Sequence, residues 1–180
     1  MSKIEDAAKR ATESLMLGSS VLLSPLDTMN IATLLCIIAV RMEFIGEERA
    51  VSQKERDYLR LNKFPSQSWR VWLANFNGPD PKELYSRKYG LAFSPLPGDA
   101  INPEECNVYV STHIVGKLCA HVVYCPVSDF GGYDRSLALC QVWPLPRFYV
   151  DSSAISVLNG YDELHEAIAR AAESKSRQRS

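Results

Sequence analysis

Most of the signatures that name an activity are missing from this sequence. No Cys-x-x-Cys pair occurs among the five cysteines, so there is neither a zinc knuckle nor a dithiol redox motif. Gly131-Gly132 is not followed by Gly-Lys-Ser/Thr, and Gly78 and Gly98 sit in proline-rich turns, so no phosphate-cradling loop is present. An excess of one charge is also lacking. Twenty Lys+Arg against 21 Asp+Glu leave a net charge of −1, which excludes nucleic-acid binding by bulk charge and leaves only local basic patches. The longest apolar run, Ile31 to Val40, is about half of what a membrane span needs, and Arg41 and Glu43 close it. The opening residues Met1-Ser2-Lys3-Ile4-Glu5-Asp6 are charged and form no secretory leader. With the odd cysteine count, they point to a reducing cytosol and no membrane partner.

What is present describes an ordinary folded domain. Hydrophobic residues make up 46% and charged residues 23% of 180, enough for one real core. The first third reads as helix. Ile4, Ala7, Ala8, Ala11 and Leu15 share a face, and Gly18 stops the run. Ser24-Pro25-Leu26-Asp27 has the N-cap, first-turn proline and acidic third position of a helix start. The helix predicted from Pro25 to about Ile45 is apolar on more than one face, so several neighbours should cover it. Ser52-Gln53-Lys54-Glu55 matches a capping box for a third helix toward Leu61, whose mixed charges read as a solvated face.

After that the period changes. Trp69 to Phe76 is aromatic and β-prone and ends in the turn Asn77-Gly78-Pro79-Asp80-Pro81, and Tyr89 to Phe93 reads as a second strand. Ser94 to Pro103 reads as a loop. From Asn107 to Tyr124 polar and apolar residues alternate over a length that one strand does not reach. Gly116-Lys117 is therefore either a tight turn or a bulge. A turn at Asp129 to Asp134, a strand from Ser136 to Trp143 and a helix from Tyr161 to Ala172 complete the reading. The expected fold is α+β, with N-terminal helices packed on an antiparallel β-sheet and a C-terminal helix. It forms one domain over 1–173, with a flexible basic tail over 174–180.

Chemistry is harder to place. Cys119, His121 and Cys125 have one parity along an extended chain, but the two cysteines would lie about 20 Å apart, too far to share an ion without a turn between them. A Cys–His nucleophile drawn from Cys106, Cys119 or Cys140 with His113 or His121 lacks both a surrounding motif and an orienting third group. His165 falls on the last helix, where a surface or capping role is the expectation. No catalytic residue, metal or cofactor is therefore expected. Trp69, Arg70 and Trp72 are the candidates for facing a partner, since Trp and Arg dominate binding hot spots. Lys175, Arg177 and Arg179 could touch nucleic acid weakly.

Four strings carry a resemblance: Leu23-Ser24-Pro25-Leu26-Asp27, Val71-Trp72-Leu73-Ala74-Asn75-Phe76, Val115-Gly116-Lys117-Leu118 and Gln141-Val142-Trp143-Pro144. Together, over Met1 to Pro146, the chain resembles the region downstream of the zinc-bearing core in HNH endonuclease-related bacterial and phage proteins. That resemblance implies a companion domain without the nuclease, because the family's Cys pairs and His/Asn elements lie upstream of the matching region. No His-Asn-His arrangement exists among His113, His121 and His165, so no catalytic residue carries over. The expected function is thus a non-catalytic binding domain of a mobile-element protein that contacts a protein complex or nucleic acid. A stand-alone, anti-CRISPR-like inhibitor of a host defence complex is the alternative, and a small Cys/His-dependent hydrolase the third. A homo-oligomer interface could bury the long apolar helix as readily as an internal core could.

Overall fold

The computed structural model describes residues 3–45, 49–79, 85–91, 107–126, 139–144 and 149–177. Helix α1 (Lys3–Met16) buries Ala8, Ala11 and Leu15. It ends as its sequence requires. Gly18 takes a left-handed φ of 73°, the Gly18 N–H bonds Leu15 O, and the Ser19 N–H bonds Ser14 O, a Schellman closure. After the short strand β1 (Leu22–Leu23) comes α2 (Pro25–Glu43), opened by a complete capping box. Ser24 Oγ accepts the Asp27 N–H at 3.2 Å and the Asp27 carboxylate accepts the Ser24 N–H at 2.9 Å. Helix α3 (Gln53–Asn62) follows.

The sheet comprises β2 (Trp69–Phe76), β3 (Tyr85–Leu91), β4 (Val108–Val115), β5 (Leu118–Tyr124) and β6 (Cys140–Trp143), in the order β3-β4-β5-β2-β6 and antiparallel throughout. Strand β7 (Val150–Asp151) pairs with β1, and β8 (Val157–Leu158) runs parallel to the end of β2. Of the two readings left open at Gly116-Lys117, the hairpin is the one adopted. Val115 pairs with Leu118 across a two-residue turn, and only Gly116 has a positive φ, at 56°. A Cβ there would lie 2.4 Å from Met16 O, and the Lys117 N–H donates to that same carbonyl at 2.8 Å. The hairpin tip is therefore seated on the end of α1.

Helix α4 (Tyr161–Arg177) closes the chain and runs beyond the expected end near Ala172. No Gly or Pro interrupts Glu173-Ser174-Lys175-Ser176-Arg177, so the backbone of 174–177 continues the helix before any tail begins. The expected loop at 94–103, the turn at 129–134 and the ends of two expected strands (92–93 and 136–138) lie outside the described residues.

Helices cover both faces of the sheet. On one face Trp69, Val71, Leu73, Tyr109, Leu118, Ala120, Val122 and Tyr124 join Leu15, Ile31, Leu35, Ala39 and Leu59 of α1–α3 in the main core. On the other, Ala167 of α4 packs with Trp72, Val110 and Val123, while Leu164 packs with Ala74, Phe76 and Cys119. Alternation along β4 therefore does not separate a wet face from a dry one: Ser111 and His113 are buried as deeply as Val110 and Ile114.

Candidate functional site

The charged sequence of α3 does not make a plain solvated face. Glu43, at the end of α2, is 1% exposed. One of its carboxylate oxygens accepts the backbone N–H groups of Ala50 and Val51, the latter at 2.8 Å, and the other receives the Arg56 guanidinium at 2.5 Å. Arg56 also donates to Val51 O at 3.1 Å and lies 4.5 Å above the Phe44 ring. One residue earlier, Glu55 turns inward and accepts the Trp69 indole N–H at 2.9 Å. A buried carboxylate with a full set of donors fixes how α2 passes into α3.

That junction shapes a groove of about 280 Å³ between α1, α2 and α3. Ile4, Ile37, Val40 and Leu59 make an apolar floor, and Arg41, Arg56, Arg60 and Lys63 ring it. Arg56 and Arg60 stand one turn apart on α3, and Lys63 follows as its C-cap. Arg56 is tied to Glu43, Arg60 reaches Asp57 at 3.6 Å, and Arg41 reaches Glu5 at 3.5 Å. Among the described residues Lys63 has no carboxylate within reach. Its backbone is unusual as well. Lys63 closes α3 in the left-handed region at φ 63°, donating its N–H to Leu59 O at 3.1 Å, at a position where glycine is the common choice. A lysine there costs about 1 kcal/mol relative to glycine.

The residues expected to face a partner lie elsewhere. Trp69 and Trp72 are fully buried, in a central strand covered on both sides, and offer no surface; this corrects their expected role. The Trp69 ring packs on Tyr124 and the Trp72 ring on His121. Arg70 is half-buried and spends its guanidinium on Gln67 O and Trp69 O, at 2.6 and 2.9 Å. Lys175 and Arg177 fall on the last turn of α4, and Arg179 lies outside the described residues.

The cysteines and histidines are arranged for burial. Cys119 and Cys125 stay on one uninterrupted stretch, with no turn to bring them together, and pack into two different apolar clusters. Burial pushes the Cys119 thiol up to about 12, and the Cys36 and Cys140 thiols upward too, which is opposite to what a nucleophile needs. Cys106 lies outside the described residues. His113 is held down to about 4 by burial, and His121 to about 3 by burial and then by the nearby His113. Each makes a hydroxyl contact, His113 Nδ1 with Ser86 Oγ at 3.0 Å and His121 Nδ1 with Thr112 Oγ1 at 2.8 Å. Among the described residues no group of three His, Cys, Asp or Glu side chains could hold a metal ion. Comparison with protein families, with curated proteins and with solved structures gives no match for this chain.

One further feature bears on location. Helix α2, with 19 residues, is long and apolar enough to cross a membrane by length and composition. In this fold it instead buries Ile31, Ala32, Leu35, Cys36 and Ala39 in the main core.

Proposed function

We propose that this chain is a non-catalytic binding domain that holds a protein partner in the α1–α3 groove. The occupant would be an acidic segment that lays an apolar side chain on Ile37, Val40 and Leu59. The observation that carries this reading is Lys63, a cation with no carboxylate in reach among the described residues, at a backbone position that glycine would fill more cheaply. A protein suits the groove better than nucleic acid does. Three of the four rim cations already have carboxylate neighbours, leaving little net charge to track phosphates, whereas the floor is wholly apolar. The rim charges would orient the partner, and the floor would supply most of the contact area. Buried free thiols suit a reducing compartment, in keeping with a cytosolic location. Both an HNH-related accessory region and an inhibitor of a host defence complex could use such a groove, and the captured partner decides between them.

The test is a pull-down of the full chain from lysate with and without nuclease, run beside Lys63→Gly and Arg60→Glu. The reading expects a nuclease-resistant protein that wild type retains and both variants lose. Lys63→Gly should also unfold at higher temperature, by the equivalent of about 1 kcal/mol, so its lost capture is not lost folding. Equal capture by all three proteins, or recovery of nucleic acid alone, overturns it.

A further inference from the structure

A second recess lies on the opposite face of the sheet, and its chemistry is different. Between α4 and the β3–β4 edge is a cleft of about 310 Å³, walled on one side by Leu164, Ile168 and Ala169. At its polar end the Tyr85 hydroxyl and the Arg87 guanidinium converge on His165 Nε2, at 3.1 and 3.0 Å. A guanidinium only donates, so Nε2 is the acceptor in that contact. That nitrogen has one lone pair, and two donors point at it. The two compete for it, and the other N–H groups of Arg87 have no partner among the described residues. Thr112, on the floor, is hydrogen-bonded to His121 Nδ1 at 2.8 Å and carries no charge. Packing of the Tyr85 ring on Tyr161 at 4.8 Å holds the donor set in place without a ligand.

Among the described residues the cleft thus offers the Arg87 and Tyr85 donors and one fixed positive charge, with no carboxylate in its lining, beside an apolar wall. The geometry points to a binding site for a small organic carboxylate. Its two oxygens would take the Arg87 fork and the Tyr85 hydroxyl, and its apolar body would lie on Leu164, Ile168 and Ala169. A monoanion matches the single cation, and a planar carboxylate matches the guanidinium better than a tetrahedral phosphate does. The volume is at the lower end of small-molecule sites, which selects a ligand of about one ring or a short chain.

Benzoate is the probe. Titrated into the isotope-labelled full chain, it should give saturable shifts at the backbone amides of Tyr85, Arg87 and His165. Benzamide, the same shape without the charge, should bind about ten-fold more weakly, and Arg87→Gln should weaken benzoate about ten-fold, the loss of one charge-assisted pair. Arg87 is exposed, so that variant keeps the fold. Tyr85→Phe should weaken benzoate a few-fold, and Ala169→Leu should block it by filling the wall. The assignment fails if benzoate and benzamide bind alike, if Arg87→Gln leaves benzoate binding unchanged, or if no saturable shift occurs at these residues. It is replaced if inorganic phosphate binds more tightly than benzoate. None of these variants touches the α1–α3 groove, so partner capture is unaffected by either outcome.

Discussion

The two faces of the sheet are covered in opposite ways. Under α1–α3 lies one continuous apolar cluster, tied at its edge by the Glu43–Arg56 pair and the Glu55–Trp69 bond. Under α4 lie two smaller clusters, one around Trp72 and one around Phe76, with a polar Thr112–His121 contact between neighbouring strands. Among the described residues, three helices cover the first face, with a groove between them, and a single helix covers the second, beside a cleft that reaches the sheet. The first face should therefore dominate stability, and the second should dominate local opening.

The largest effect should come from breaking the polar tie under α1–α3. Glu43→Ala leaves the Arg56 guanidinium and the Ala50 and Val51 N–H groups without their acceptor, and should cost about 4 kcal/mol in urea unfolding. Adding Arg56→Leu to Glu43→Leu should recover much of that loss, because no buried charge is then left unpaired. A single variant losing under about 1 kcal/mol would mean the tie is not buried in solution.

Next in size is an acid effect that joins the two faces, since His113 looks toward α1–α3 and His121 toward α4. Their folded-state values of about 4 and about 3 lie below the ordinary 6.5, so the unfolded chain takes up protons first as pH falls. Their contribution to stability is complete above about pH 6.5 and is lost progressively below it. Each should account for about 3 kcal/mol lost by pH 4. His121→Leu should flatten the acid limb of the unfolding free energy by that amount. An unchanged limb would show that His121 is accessible to protons when folded.

How legible these faces were in the sequence depended on distance along the chain. The start of α2 was readable from Ser24, Pro25 and Asp27, and the end of α1 from Gly18, because caps are made by residues within five of each other. The hairpin at Gly116-Lys117 was present as one of two readings, and what decides it is a long-range fact, the seat on Met16 O. Burial of Ser111 and His113 was not readable, because alternation reports a pleat and not what covers it. At the groove, the mixed charges of the third helix read as a solvated face until α1 and α2 supply the apolar floor. The cleft was the least legible feature. Tyr85 and His165 are 80 positions apart, and no local pattern links them.

The next two predictions sharpen the contrast within the sheet. Leu164→Ala removes the fully buried side chain that anchors α4 and should cost about 3 kcal/mol. Its signature should be local. Amide hydrogens of α4 should exchange at a lower opening free energy than those of α2, because a single helix on a small cluster can lift without unfolding the main core. Equal acceleration in both helices would mean that α4 opens only with the whole fold.

The smallest effect is expected on β4, where Tyr109, Ser111 and His113 recur at every second position on the α1–α3 side. Among the described residues, Tyr109 OH, Ser111 Oγ and His113 Nε2 have no hydrogen-bond partner. A buried hydroxyl without a partner gains nothing from folding to offset its lost hydration, so deleting it removes a penalty and no bond. Ser111→Ala should therefore change the unfolding free energy by less than about 0.5 kcal/mol, or raise it, although the residue is fully buried. The conservative Ser111→Thr should do worse than alanine, because it keeps the unpaired hydroxyl and adds a methyl to a packed site. If Ser111→Ala instead costs more than about 1 kcal/mol, the hydroxyl holds an acceptor when folded, and this row of β4 is a satisfied polar network and not a stored penalty.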